Sequence, residues 1–291
     1  MDHAIKWFFR CSLGAVVSLV ACGIATAWFG NGVRLTATTT RDGSLVTMNR
    51  YAQEPVPDVV LVGSSLSFRL QEPYFATPRL RNLAIAGGSP VTGLEIVAGR
   101  SPLPKLILVE ANVLSRGVDQ AMVSLYSGAG AGGSVFFRPI RALVASYENW
   151  RHAPQSYVDV AAALDRLTKA PPSDFDNRLY LQRVIAQRNS EDPASSTRTS
   201  VEEIRRLATS VEQRGSRLLL FELPVPAELE PTRYTSVTRQ IIHDAFPDKS
   251  HWLSIDAARD ELRWPDGAHL DERSAVLVAR AIDRAITALG K

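Results

Sequence analysis

The apolar positions of this chain change their pattern twice. From Cys11 to Phe29 they form a nearly unbroken run of about 19 residues, close to the length that crosses a hydrocarbon core. Lys6 and Arg10 lie on its N-terminal side. Residues 31–55 are mostly polar, with Thr38-Thr39-Thr40 and Arg41-Asp42-Gly43, and they read as a stem. From Asp58 onward, short apolar runs, the first rich in β-branched residues, alternate with longer amphipathic stretches. Asp58-Val59-Val60-Leu61-Val62 is a strand ended by Gly63-Ser64-Ser65. Arg81 to Ala86 repeats the form and ends at Gly87-Gly88, and Lys105 to Val109 is a third strand ending at Glu110-Ala111-Asn112. Arg217 to Phe221 predicts a fourth strand and His251 to Ile255 a fifth.

Helices are predicted between them, over Val91 to Ala98, from the capping box Ser200-x-x-Glu203 through Gln213, and from Asp271 to Leu289. Gly215 is read as the stop of the second. The middle, about 113–200, departs from the alternation. It holds a Gly/Ala stretch from Gly128 to Gly133, a helical pattern over Arg138 to Leu167, a break at Pro171-Pro172 and a polar loop from Asn189 to Ser200. It reads as a helical, lid-like insertion in a single domain over 56–291, behind a membrane segment over 1–30 and the stem over 31–55. Strands alternating with helices imply a parallel α/β sheet with right-handed crossovers, whose ligands sit beyond the carboxyl ends of the strands.

Composition changes this picture little. The chain is 45% hydrophobic and 22% charged, with a formal net charge of +3, which excludes disorder and gives no basic footprint for nucleic acid. Both cysteines, Cys11 and Cys22, lie in the first segment, so the domain beyond it has no disulfide, thiol nucleophile or cysteine metal site. That first segment has three readings. It is an uncleaved anchor, a signal peptide cleaved after Ala25-Thr26-Ala27, or a lipoprotein signal at Leu19-Val20-Ala21-Cys22. The anchor is preferred because apolar character continues through Trp28 and Phe29. Under the positive-inside rule all three place the domain outside the cytoplasm, with the anchor making it a single-pass protein of the cytoplasmic membrane.

The predicted strand ends carry chemistry. Ser65 follows the first strand, Gly87 the second and Asn112 the third, and Asp266-Gly267-Ala268-His269 precedes the last helix. A serine hydroxyl becomes nucleophilic when a histidine takes its proton, and a carboxylate must hold that imidazole in the right tautomer. Asp266 is three residues before His269, within reach of one tight turn. Backbone N–H groups of Ser65 and Gly87 and the Asn112 amide could receive a developing oxyanion.

This set resembles the SGNH, or GDSL-type, hydrolase superfamily over about residues 56–290. The family's four lettered residues match Ser65, Gly87, Asn112 and His269 in order. Its Gly-Asp-Ser-Leu stands here as Gly63-Ser64-Ser65-Leu66, and its Asp-x-x-His as Asp266 to His269. Its Gly-x-Asn-Asp keeps only the asparagine of Glu110-Ala111-Asn112-Val113, and its Asn-x-Gly-x-x-Gly loses the first glycine in Asn82 to Gly87. The resemblance implies a flavodoxin-like three-layer α/β/α fold and a triad of Ser65, Asp266 and His269. It also implies an oxyanion hole of Ser65, Gly87 and Asn112, and esterase or O-acyltransferase activity; no metal or cofactor is expected, since no converging set of His or carboxylate ligands stands out in the spacing. With the membrane segment, it points to acyl esters, acetyl foremost, of envelope glycans. The competing reading is a non-catalytic protein of the same fold in an envelope-polysaccharide assembly.

Each residue also has a plainer role. Ser64 and Ser65 are favoured helix caps, Gly87-Gly88 and Asp266-Gly267 are turn signals, and Asn112 suits a cap or turn. Ser64 is the alternative nucleophile. His243 and His251, near Asp244 and Asp248, are rival bases, while His152 and His3 lie in the insertion and ahead of the membrane segment. The conjunction at strand ends separates the catalytic reading from these.

Overall fold

A computed structural model describes residues 2–29, 40–128, 151 and 156–290. Most of the expected Gly/Ala stretch, and the expected helix from 138 to 155 apart from residue 151, lie outside them. Helix α1 spans Asp2–Phe29. Its window His3–Ala21 is 19 residues with mean hydropathy 1.5 and 0% buried, so it is long and apolar enough to cross a membrane.

The second half of the expected stem is helix α2, Thr40–Gln53. Leu45, Met48 and Ala52 recur at the i, i+3, i+7 spacing of one helical face. That face and Tyr51 enter the core, with Met48 fully buried. Arg100 holds the helix end in place. It donates 2.9 Å to the Ala52 carbonyl and lies 5.5 Å over the Tyr51 ring. Burial pushes the Tyr51 hydroxyl up to about 12, opposed by the charges of Arg100 and Arg214.

The sheet has four parallel strands, β1 (Val59–Val62), β2 (Leu80–Asn82), β3 (Leu106–Glu110) and β4 (Arg217–Phe221), in the order β2-β1-β3-β4. The expected fifth strand is reduced to one bridge, Leu220 to Trp252. Asp248 caps a short 3₁₀ turn over Lys249–His251, so the chain meets the sheet edge only at Trp252, whose indole N–H donates to the Phe246 carbonyl at 2.8 Å.

Side chains alternate across the sheet, as a two-residue period requires. Val60, Val62, Ile107, Val109, Leu218 and Leu220 face one apolar cluster, and Val59, Leu61, Leu106, Leu108, Leu219 and Phe221 face another. The first cluster is covered by α2, α4 (Pro90–Ala98), α8 (Ala194–Gln213) and α9 (Arg233–Ala245). The second takes the apolar stripe Ala275, Val276, Ala279 and Ile282 of α10 (Glu272–Leu289), and the one-turn helix α3 (Ser65–Phe68). Helices therefore cover both faces.

Between β3 and β4 lie α5 (Gln120–Tyr126), α6 (Tyr157–Lys169) and α7 (Arg178–Ser190). Helix α8 begins at Ala194, six residues before the capping box at Ser200 that the sequence offers as its start. Thr197, Ser200, Val201, Ile204, Leu207, Ala208 and Val211 form one buried stripe, and that burial carries helix through a segment of weak formers. Gly215, with φ 84°, closes it in the left-handed conformation typical of a helix stop.

Candidate active site

The strand order creates a switch point. The chain leaves β1 toward β2 on one side and returns to β3 on the other, so the connections diverge at the carboxyl ends of β1 and β3. Crevices at such points hold the ligands of parallel sheets. Ser65 follows β1 there, and Asn112 follows β3.

Ser64 is the N-cap of α3, with φ −92° and ψ −163°, and its Oγ accepts from the Leu66 N–H at 3.2 Å. The same hydroxyl donates to Glu110 Oε1 at 2.7 Å. Glu110, fully buried at the end of β3, accepts three further bonds: from the Ser64 N–H at 2.8 Å, the Ser67 N–H at 3.2 Å and the Ser67 hydroxyl at 2.6 Å. First-turn N–H groups have no acceptor inside their own helix. Here a carboxylate from the neighbouring strand supplies it, and these four donors satisfy a buried acceptor-only group.

The other end of α3 is held from β2. Asn82 Nδ2 donates to the Ser67 and Leu70 carbonyls at 2.8 and 2.6 Å, and its Oδ1 accepts from the Ala84 N–H at 2.9 Å. Gly63 is required by this crowding. A Cβ there would fall 2.5 Å from Ser67 Cβ and 2.7 Å from Glu110 Oε2.

With Ser64 and Ser67 turned inward, Ser65 presents its hydroxyl at the surface of the crevice. Its Oγ lies 2.9 Å from His269 Nε2, across 204 residues of sequence. His269 Nδ1 lies 2.8 Å from Asp266 Oδ2. The other oxygen, Asp266 Oδ1, accepts the N–H groups of Ala268 and His269 at 3.0 and 2.7 Å, an Asx turn that fixes both residues. Burial raises the Asp266 carboxyl, but its bonds from the His269 ring and from the His269 and Ala268 N–H groups outweigh this and hold it well below the usual carboxylate range. An ionised Asp266 only accepts, so Nδ1 carries a proton, and Nε2 is the ring nitrogen left to accept from Ser65.

Gly267 makes this turn possible. Its φ is 80°, and a Cβ would lie 2.7 Å from the Leu181 Cα and 2.8 Å from its nitrogen. The backbone of α7 therefore rests on the turn, and Asn177 Nδ2 just ahead of α7 donates to the Trp264 carbonyl at 2.7 Å.

Asn112 sits on the expected turn but is largely occupied. Its Oδ1 accepts the Leu223 N–H at 2.7 Å and its Nδ2 donates to the Leu223 carbonyl at 2.9 Å, which leaves one amide proton. Gly87, exposed with φ 75°, offers its carbonyl to Arg116 Nη1 at 2.9 Å. Neither residue is hydrogen-bonded to Ser65. Ser65 is the first residue of α3, a position whose N–H has no intrahelical acceptor.

The rival bases lie elsewhere. His243 contacts Glu222 at 3.2 Å and stacks on Trp252 at 4.1 Å, and His251 packs against Phe246. His152 lies outside the described residues. Among the described residues no three His, Cys, Asp or Glu side chains converge as metal ligands would. Sequence reasoning missed Glu110, which appears there only as a departure from a motif. The signal was present: an acidic residue ending a fully apolar strand must have buried donors waiting for it.

Comparison with known proteins leaves the site to be read from its geometry: no protein-family model matches the chain, and no curated protein matches it.

Two predictions follow from the bonding. Glu110→Gln keeps the shape but turns an acceptor into a donor facing donors, and is expected to cost about 3 kcal/mol or more in urea unfolding. A loss of under about 0.5 kcal/mol would contradict the buried clamp. For Asp266 the folded carboxyl is lowered, so its stabilisation is present above the unfolded value near 3.9 and disappears as pH falls below it. Between about pH 5 and about pH 3 the stability gap between wild type and Asp266→Asn should narrow as pH falls. A gap that widens in acid would contradict the assigned bonds.

Proposed function

We propose that this protein is a membrane-tethered serine esterase or O-acyltransferase of the SGNH type, acting through Ser65, His269 and Asp266. The observation that carries the reading is the unbroken chain of hydrogen bonds from Ser65 Oγ through His269 to Asp266, placed at the switch point between β1 and β3. The flavodoxin-like, SGNH-type form of the α/β fold belongs to the same proposal. It is supported by the strand order and by Gly63, Asn82 and Asn112 on the turns around Ser65.

His269 Nε2 takes the Ser65 proton as Oγ attacks the ester carbonyl, forming a C–O bond and an oxyanion. The Ser65 N–H, the Gly87 N–H and the remaining Asn112 amide proton are the donors proposed for that charge. Asp266 stabilises the imidazolium through Nδ1. Collapse breaks the bond to the leaving alcohol, which takes the proton from Nε2 and leaves an acyl group on Ser65. Water, or a sugar hydroxyl deprotonated by His269, then attacks the acyl carbon, and Ser65 regains its proton. The first product is a free acid, the second a new ester.

Helix α1, with Lys6 and Arg10 ahead of its apolar run, fits a cytoplasmic N-terminus and a catalytic domain on the outer face of the membrane. There the domain would meet acyl esters of envelope glycans, acetyl esters foremost.

The purified full chain in detergent should hydrolyse p-nitrophenyl acetate, and Ser65→Ala or His269→Ala should lower kcat about 10³-fold or more. Ser64→Ala is a destabilising change to the clamp, read by unfolding. Full activity in Ser65→Ala would overturn the assignment, and an inactive wild type would favour the non-catalytic reading.

A further inference from the structure

Helix α7 packs on the Asp266 turn and on α9, and presents one face inward. Leu181, Val184, Ile185 and Arg188 are half-buried, and every other residue of the helix is exposed. That is the i, i+3, i+4, i+7 stripe of an amphipathic helix, and packing alone calls for a fourth apolar residue at its end. The chain places a guanidinium there instead.

Arg188 is held but not neutralised. Its guanidinium carbon lies 4.9 Å from the centre of the Tyr234 ring, and Nη1 donates to Thr235 Oγ1 at 3.4 Å. No carboxylate lies within ion-pair distance of it among the described residues; burial pushes its pKa below the ordinary value, opposed by the longer-range charges of Glu191 and Glu110. Tyr234 is buried and fixed in turn by Ser115, 2.8 Å away. Its neighbours differ. Arg239 on the same cleft is paired with Glu222 and Glu230, and His243 also contacts Glu222. Arg178 and Arg233 pair with Asp176 and Asp192.

The cleft that Arg188 lines also contains Asn112, Thr235 and Thr238, together with the paired Glu222 and Arg239. Asn112 is two residues beyond the Glu110 that holds Ser64, so this cleft begins one strand away from the nucleophile. Along α7, Leu181 rests on Gly267 of the Asp266 turn, and Arg188 is seven residues further, about 10 Å at 1.5 Å per residue. Arg116 donates to the Gly87 carbonyl and has no carboxylate partner among the described residues.

We infer that Arg188, with the cleft beside Asn112, is a subsite for an anionic group of the substrate, a carboxylate or a phosphate, carried on a unit adjacent to the one bearing the acyl ester. This rests on the acyl-ester reading of Ser65 and narrows it. The substrate is an acidic or phosphorylated glycan, because a largely desolvated guanidinium with no carboxylate in direct contact gains more from an anion than from a neutral sugar. A small ester occupies only the triad end and does not reach Arg188.

The test compares wild type, Arg188→Gln, Arg188→Lys and the control Arg178→Gln on three esters: O-acetylated polygalacturonate, an O-acetylated neutral glucan and p-nitrophenyl acetate. Arg188→Gln should raise KM for the acidic polymer about tenfold or more, with the two neutral esters shifted by less than about twofold. Arg188→Lys should recover part of the loss, and Arg178→Gln should match wild type. Parallel losses on all three esters mean a structural role, and an unchanged KM for the acidic polymer means no subsite; either overturns the proposal.

Calorimetry with galacturonate and with inorganic phosphate is independent of turnover. Binding of either to wild type that is lost in Arg188→Gln supports the subsite, and the stronger of the two names the anion. Absence of binding by both overturns it. If wild type hydrolyses none of the three esters, the acyl-ester reading fails, while calorimetry still decides the anion site.

Discussion

A buried carboxylate organises this protein. Glu110 ends β3 fully out of water, and among the described residues its donors are the N–H and O–H groups of Ser64 and Ser67. Leaving such a group unsatisfied costs several kcal/mol, so the turn after β1 must close onto it. Closing that turn uses up the serines on either side of Ser65 and aims Ser65 the other way. It also dictates Gly63, since any side chain there would occupy the space of the clamp. Asn82 completes the constraint by holding the far end of the same helical turn from β2. The nucleophile candidate is thus braced from both neighbouring strands of a parallel sheet, and the precision of its position is a property of the core.

The second half of the site is built locally. Asp266 gathers its own loop through two main-chain N–H groups, and Gly267 takes a backbone angle that lets α7 lie directly on that loop. Sheet packing then brings the loop to Ser65, with α10 starting at its Asp271 cap immediately afterwards. One helix therefore does two jobs. Its first turns press on the Asp266 turn, and its last turn delivers Arg188 to the cleft by Asn112.

Much of this was legible in the sequence because short-range physics decides it. β1, β3 and β4 lie within a residue of where short apolar runs predict them, and the serine, aspartate and histidine fall on the turns that end strands or precede the last helix. What was hidden depends on contacts far apart in sequence. Residues 40–53 look polar, yet Leu45, Met48 and Ala52 line up only once helical and dock on the sheet. The His251–Ile255 run has strand composition, but its start is taken by the 3₁₀ turn that Asp248 caps, which leaves one bridge at Trp252. Helix α8 starts early because burial outweighs the weak propensity of its first turn. Glu110 looked like motif decay, although an acidic residue at the end of an apolar strand is itself a signal of a buried partner. Helix α7 escaped notice because its inward stripe is narrow and ends in a charge.

The central claim is that Ser65, and no neighbouring hydroxyl, is the nucleophile. The most direct measurement is peptide mass spectrometry of the intact chain after treatment with a serine-directed fluorophosphonate. The account predicts one adduct, on Ser65, absent from Ser65→Ala and strongly reduced in His269→Ala. An adduct on Ser64 or Ser67, or equal labelling of Ser65→Ala, would contradict it.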